Sequence, residues 1–355
     1  MKVALLCNIK KRAGNGKGEV HDKYAEFDSV KTVNAIKKAV EASFAGKKTK
    51  RIDTKIINAD ETAYFKIRES RPDFVFNIAE GLYGRSREAQ IPLLLEYMQI
   101  PYSGSSPLCL AICLDKAMTK RVLLYHGIPT PRFQVFSTGI EKLDSGMKFP
   151  LICKPNHEGS SKGISEKSVV YNKSELRKQA AFLVREYGQE VLVEEFIEGT
   201  EYSIGILGNG SRSKVLPIME RFYLDPKGIA LFEPDEAVIP LLKKMHRKYN
   251  VERAGKGGAR LAQISDELKA KLENMAVASY NACNCRDWCR MEIRVNKKTG
   301  KPYVLELNPI AGIDPSYILP RQANLAGMTY ADLINTIVDS AAERYQKLKK
   351  IYKKK

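Results

Sequence analysis

Arg290, Glu292, Glu306 and Asn308 lie on two apolar stretches joined by Asn296 to Lys301, whose Asn, Thr and Gly content suits a tight turn. Alternate side chains of a strand share a face, so Arg290 and Glu292 point one way, as do Glu306 and Asn308 on the partner strand. A turn centred near Thr299 places Glu292 opposite Glu306. Two carboxylates facing each other on one sheet repel unless a cation lies between them. An all-oxygen donor set of Glu and Asn suits magnesium, or manganese in its place, an ion that keeps waters and completes its shell with substrate phosphates. For a lone hairpin an ordinary charged sheet face is an equal reading. The apolar Val304, Leu305 and Leu307 beside the acids, and the Pro309–Pro315 loop after them, weigh against it.

A second stretch, Pro150 to Gly163, ends an apolar strand on Lys154 and continues through His157, Glu158, Gly159, Ser160, Ser161 and Lys162. The strand can aim an ammonium at a phosphate. The small residues after it let backbone N–H groups approach anionic oxygens. Alone, such a loop is usually just a turn, and His157 within it is expected to be solvent-exposed. In a third stretch the apolar Val191, Leu192 and Val193 lead into Glu194, Glu195, Phe196 and Ile197, with Glu201 beyond. Backbone groups there can read the edge of adenine, and Glu201 can bind ribose hydroxyls. A buried strand running into a solvated loop is the better reading of this segment taken by itself. Lys116, after Leu114 and Asp115, is a further phosphate candidate, although helical lysines are usually solvated.

These residues must be held by an α/β framework. Residues 1 to about 106 alternate strand-like and helix-like stretches: strands over Val3–Ile9, Arg51–Ile57 and Asp73–Asn77, helices over Ser29–Ala45 and Arg87–Met98. That pattern predicts a small lobe with a mainly parallel sheet. The Pro101–Gly104 turn and Pro107 mark its end. Helix is expected over Leu108–His126, Ser174–Tyr187, Ser265–Asn284 and Tyr330–Ile351. Strands are expected at Pro150–Lys154, Val191–Ile197 and Tyr202–Leu207, followed by the Trp288–Leu307 hairpin. Residues 210–262 carry mixed signals. The expected lobes are 1–106, 107–193 and 194–355, α/β first and α+β thereafter.

The chain has 355 residues, 44% of them hydrophobic and 28% charged, with a net charge of +18. This describes a globular protein with more than one core and a preference for anionic partners. Met1 to Ile9 reads as a strand rather than a signal peptide, and no segment is apolar enough to span a bilayer. Seven scattered cysteines indicate a reduced, cytoplasmic protein. Cys283, Cys285 and Cys289 lack a fourth zinc ligand of standard spacing, and with Cys109 and Cys113 they are expected to be buried thiols. Gly14, Gly16 and Gly18 lack the spacing of a dinucleotide or P-loop motif and read as a loop.

Taken in order, the segments resemble the ATP-grasp ligases, and among them the D-alanine–D-alanine ligase family. The likeness runs through Glu80-Gly81, Gln90, Leu95-Glu96, Ile100 to Ser105, Asp115-Lys116, Gly127 to Pro131, Lys154 to Gly163, Glu194 to Glu201, Arg290 to Glu292 and Glu306 to Asn308. It implies a three-lobed ATP-grasp architecture and a reaction in which ATP converts a carboxylate to an acyl phosphate that an amine attacks. It also implies ATP and magnesium as cofactors, amino acids or amines as substrates, and a place in peptidoglycan biosynthesis. A homodimer is compatible with it. By the same likeness Lys116 and Lys154 bind phosphates, Glu158, Ser160 and Ser161 belong to the phosphate and substrate loop, and Glu194, Glu195, Phe196 and Ile197 hold adenine with Glu201 at the ribose. Glu292, Glu306 and Asn308 bind the metal, and Arg290, Ser160 and the Gly312 backbone serve the reacting centre.

Several positions depart from the family. Glu292 stands where the family has Asp, and Gly84-Arg85-Ser86-Arg87 replaces Gly-Glu-Asp-Gly. The glycine-rich Ser-Glu start is absent after the first strand, with Glu26 or Asp28 as substitutes. Arg221 to Lys244 offers no clean match to the closing Tyr/Lys loop, and the substrate-binding serine is displaced, leaving Ser316 or Tyr317. The nucleotide half is kept and the amino-acid half is altered, so a ligase for another amino acid or short peptide stands beside the D-alanine reading. A non-catalytic basic protein that binds nucleic acid is the rival of another class. It is weakened by the dispersal of the basic residues.

Overall fold

The computed structural model describes residues 1–10, 26–44, 52, 54–223 and 257–345. The Gly14–Gly18 loop, the segment after Tyr223 and the lysine-rich end lie outside the described residues. The first sheet is parallel and runs β2 (Thr54–Asn58), β1 (Val3–Cys7), β3 (Phe74–Asn77). Every residue of β1 is buried, as expected of a central parallel strand covered on both faces. Helix α1 (Val30–Phe44) covers one face with Val33, Ile36, Val40 and Phe44 at helical spacing. Helices α2 (Ala63–Ser70) and α3 (Gln90–Tyr97) bury Ile67 and Leu95 in the core on the other face.

Helix α4 (Pro107–Leu114) ends where α5 (Lys116–Tyr125) begins, so the single helix expected over Leu108–His126 is two. Asp115 breaks it. Its extended backbone leaves the helix, and its carboxylate caps α5 by accepting the Met118 N–H at 2.9 Å. The break sets Lys116 on the first turn of α5, buried rather than solvated.

A second sheet is antiparallel, with order β4 (Phe133–Phe136), β7 (Val191–Glu195), β5 (Leu151–Pro155), β6 (Val169–Val170). It packs against α6 (Lys173–Tyr187), whose Asn172 cap and Gly188 end conform to ordinary helix signals. The third sheet has six strands: β11 (Gly257–Leu261), β10 (Met219–Tyr223), β8 (Gly199–Leu207), β12 (Trp288–Asn296) and β13 (Pro302–Asn308) in that order, with β9 (Lys214–Val215) paired to β8. Its adjacent pairs are antiparallel as well. The α/β start and the antiparallel sheets after it match the expected architecture. Three of the strands, β9 to β11, fall in the stretch whose sequence gave mixed signals.

Helix α7 (Asp266–Ala282) backs this sheet, and α8 (Ile318–Leu325) and α9 (Tyr330–Ala342) close the molecule onto α1. Helix α9 stops at Ala342, short of the expected Ile351. Beyond it Arg344 pairs with the buried Asp287 and donates to the Tyr102 carbonyl at 2.9 Å, which ties the last turn to the first lobe. Trp288 is buried at the junction. Its ring stacks on Phe76 at 6.2 Å, and its indole N–H donates to the Ala311 carbonyl at 3.0 Å, fixing the start of the hairpin against the loop that follows it.

The sulfur atoms of Cys109, Cys113 and Cys285 lie within 4.8 Å of one another, and all seven cysteines are buried and free. This is the core role expected of them.

Candidate active site

The antiparallel register sets Glu292 opposite Glu306 and Arg290 opposite Asn308. The ladder slips between Glu292 and Ile293, leaving Leu305 as the extra residue of a bulge beside the acidic pair. Cations lie at the edges of the acidic pair: Arg290 Nη2 is 3.4 Å from Glu292, Lys116 Nζ is 3.9 Å from Glu306, and Lys154 feels both acids. Two acids and an amide oxygen on one sheet face fit a hard divalent cation better than they fit each other.

Two adjoining cavities share this wall. The smaller, of about 100 Å³, is lined by Lys116, Lys154, Glu158, Ser161, Glu194, Glu195, Phe196, Ile197, Glu201, Glu292 and Glu306. The larger, of about 290 Å³, adds Ser160, Arg290, Asn308 and Gly312. Together they contain every residue singled out in the sequence for nucleotide, metal or catalytic work, gathered from the second and third sheets and from α5.

In the smaller cavity the charges are paired. Glu194 is buried between Lys154 at 2.5 Å and Lys120 at 2.7 Å. Burial alone would raise its pKa, but Lys120 and Lys154 hold it down to about 2. Burial pushes Lys120 down to about 8, with Glu194 pulling back and Lys154 adding repulsion. Lys154 is raised: burial works against its charge, and Glu194 and Glu306 outweigh it. Glu201 pairs with Arg294 at 2.8 Å, and the Arg294 guanidinium lies 5.1 Å from the Phe196 ring centre. Neither Lys120 nor Arg294 stood out in the sequence. Only strand pairing, Arg294 opposite Glu201, brings the latter to the cavity.

The loop after Lys154 is held from three sides. The Glu158 carbonyl accepts the Lys116 ammonium, while its carboxylate takes Lys162 at 2.8 Å and Arg87 at 3.2 Å. Glu26 completes the cluster, with Lys162 at 2.8 Å, Arg87 at 3.0 Å and the Gly159 N–H at 3.0 Å. A Cβ on Gly159 would lie 2.5 Å from that carboxylate, which is why this position has no side chain. Ser160 and Ser161 both adopt left-handed backbone, at φ 50° and 59°. Consecutive non-glycine residues of this kind are costly and persist only where the surroundings enforce them. His157 is a correction. It is buried, with Nε2 3.2 Å from Asp115 and its N–H on Gln189 at 2.8 Å, because the loop folds back over the N-terminus of α5.

In the larger cavity Glu26 and Asp28 are both present, as is Tyr317, whereas the Ser316 hydroxyl turns away to Asp314 at 2.6 Å. The Tyr317 ring leaves no room for a side chain at residue 312, since a Cβ there would lie 2.7 Å from it. Arg221 also reaches the cavity, while residues 224–244 of the anticipated closing loop lie outside the described residues.

Residues 123–339 match the family described as D-ala D-ala ligase C-terminus. A D-alanine–D-alanine ligase of Carboxydothermus hydrogenoformans is 33% identical over 306 residues, covering 82% of this chain and 88% of that one. The protein y4sG of Sinorhizobium fredii is 35% identical over 76% of this chain and 75% of its own. A crystal structure of D-alanine–D-alanine ligase from Bacillus anthracis complexed with ATP superposes with a TM-score of 0.70 at 25% identity, over 97% of this chain and 98% of that one. The chain belongs to the D-alanine–D-alanine ligase family.

It is therefore an ATP-dependent, ADP-forming ligase that makes an amide bond, and the reading as a non-catalytic nucleic-acid-binding protein is not favoured. No described helix of the ligase is long and apolar enough to cross a membrane. The sequence assigned no role to two acids of its larger cavity, where Glu80, part of the family likeness, and Glu88 join Asp28. Burial pushes the Glu88 carboxyl up to about 8, against the pull of Arg87 and with the push of Glu26. Asp28 is raised to about 7 by burial and by Asp314. Glu80 is raised well above the usual range by burial and by Glu88. Glu88 falls in the stretch expected to be helical from Arg87, where one acid carries no functional signal, so nothing local marked it.

Proposed function

We propose that the two cavities hold ATP and an amino-acid carboxylate on either side of the Glu292–Glu306 wall. The γ-phosphoryl group moves to the carboxylate to give an acyl phosphate. An amine then adds to the acyl carbon, and phosphate leaves with its bonding electrons as the amide forms. What carries this reading is that one wall, with two opposed carboxylates and Arg290, Lys116 and Asn308 about it, faces both cavities.

Lys116 and Lys154 position the phosphates, and the Ser160 and Ser161 backbone closes over them. The Glu194–Ile197 segment reads adenine, and Glu201, held by Arg294, meets the ribose. Glu158 acts through its carbonyl, which holds Lys116, more than through its carboxylate. Glu292, Glu306 and Asn308 would hold magnesium, or manganese in its place, whose positive charge offsets that of the phosphates. Arg290 and the Gly312 N–H stabilise the oxyanion that develops when the amine adds. With lobes at 1–106, 107–193 and 194–355, the smaller cavity is lined by the second and third and the larger one by residues of all three. Seven free cysteines suit a reducing cytoplasm. A homodimer is the proposed assembly, and sedimentation equilibrium tests it.

The test is ADP release from Mg·ATP across D- and L-amino acids, singly and in pairs, beside Glu306→Gln. Turnover dependent on an amino acid and lost in the variant is expected, while an unimpaired variant would sink the metal assignment. D-alanine heads the panel because relatives bear its name. A different amino acid or short peptide is the second reading, and the acids at the far end of the larger cavity favour it.

A further inference from the structure

We infer that the substrate end of the cleft takes a second ammonium group, so that one substrate is a diamino acid or a diamine rather than a neutral amino acid. This rests on the ligase reading above. The described residues lining the larger cavity supply seven carboxylates against three cations, in a chain whose net charge is +18. Two of the seven, Glu292 and Glu306, are the proposed metal pair, and Glu26 and Glu158 are neutralised by Arg87 and Lys162. Asp28, Glu80 and Glu88 remain.

Glu88 is the telling one. Only 7% exposed, it opens on the cavity and has neither a hydrogen bond nor an ion pair to its side chain among the described residues. Its neighbour Arg87 is already engaged with Glu26, Glu158 and the His157 carbonyl. A buried acid without a partner avoids the cost of its charge by staying protonated, and a ligand cation entering the cavity lets it ionise against a partner. With the half-buried Asp28 and Glu80 on the same cavity, the acids there outnumber what one α-ammonium can pair with. A second metal ion suits them less well. Among the described residues the only three acid, His or Cys ligand atoms converging within 4.8 Å are the buried sulfurs of Cys109, Cys113 and Cys285. Dispersed carboxylates match separate ammonium groups, each with three donors, rather than one coordination shell.

The experiment compares initial rates of ADP release from Mg·ATP with D- and L-ornithine, lysine and 2,4-diaminobutyrate, and with norvaline, norleucine and alanine of similar shape. Each is tried alone and in pairs, with putrescine added as an amine that can only accept. A kcat/KM at least about tenfold higher for a diamino substrate than for its neutral counterpart is expected. Glu88→Gln should then raise KM for that substrate about tenfold while the KM for ATP stays put. If Glu88→Gln fails to fold, Glu80→Gln gives the same comparison. Neutral amino acids used as well as the diamino ones, or a preference untouched by the substitution, would overturn this inference and leave the ligase reading standing. Silence from every pair would overturn both.

Discussion

At the proposed nucleotide end of the cleft each buried acid meets a base: Glu194 with Lys120 and Lys154, Glu201 with Arg294. At the substrate end Asp28, Glu80 and Glu88 share a cavity with no cation bonded to any of them among the described residues. The first arrangement is complete without a ligand, so its lysines are already aimed when ATP arrives and little has to reorganise. The second is incomplete, and a ligand of the right charge finishes it. A cleft built this way binds a common cosubstrate on rigid ground and leaves selection to the end where unsatisfied charge discriminates.

The wall between the two ends should give the largest effect when broken. Arg290→Ala removes the cation beside the reacting centre, and a loss of kcat/KM on the order of 10²–10³ is expected with ATP binding retained. Both ends depend on that wall, so a variant that lost ATP affinity yet kept kcat would move Arg290 from the reacting centre to the nucleotide side.

Next in size is the nucleotide end itself. Glu194→Gln leaves Lys120 and Lys154 buried without their shared counterion, a change worth roughly 3–5 kcal/mol of stability at neutral pH by denaturant unfolding. The pH dependence has a definite sign. Glu194 is held at about 2 against an ordinary 4.5, so its contribution is present above 4.5 and is lost as pH falls toward 2. The wild type should lose stability across that window and the variant should not. A variant as stable as the wild type at pH 7 would mean the paired end is not what holds the cleft rigid.

The two ends also differ in how far the sequence reveals them. The hairpin proposed to hold the metal is legible because strand alternation and one turn fix it within about twenty residues, and the observed Glu292–Glu306 register follows from that alone. Lys154 and the Glu194 segment are legible for the same local reason. Lys116 required the break at Asp115, which a continuous helical pattern over Leu108–His126 conceals, since an N-cap inside an apolar run does not interrupt the periodicity. Lys120 and Arg294 look like ordinary surface residues until α5 packs the first against Glu194 and the sheet sets the second opposite Glu201. Glu88 is furthest from reach. It sits in a short 3₁₀ turn, Arg87–Ala89, and becomes part of the cleft only because Arg87 reaches across to Glu26 and the His157 loop.

The smallest effect expected is also the one that separates the two ends most directly, because it runs opposite to that of Glu194. Glu88 is raised to about 8 from an ordinary 4.5, so the folded ligase bears little cost for it below 4.5 and loses stability as pH climbs through that window. Replacing it by the isosteric, uncharged Gln removes the titration. Glu88→Gln without substrate should therefore match the wild type near pH 4.5 and exceed it at pH 8.5, read as a higher Tm. A saturating diamino substrate should narrow that gap, since it restores to the wild type the partner the variant never needs. If the gap at pH 8.5 is absent, or has the opposite sign, Glu88 already has its counterion in the free protein, and the two ends of the cleft are alike after all.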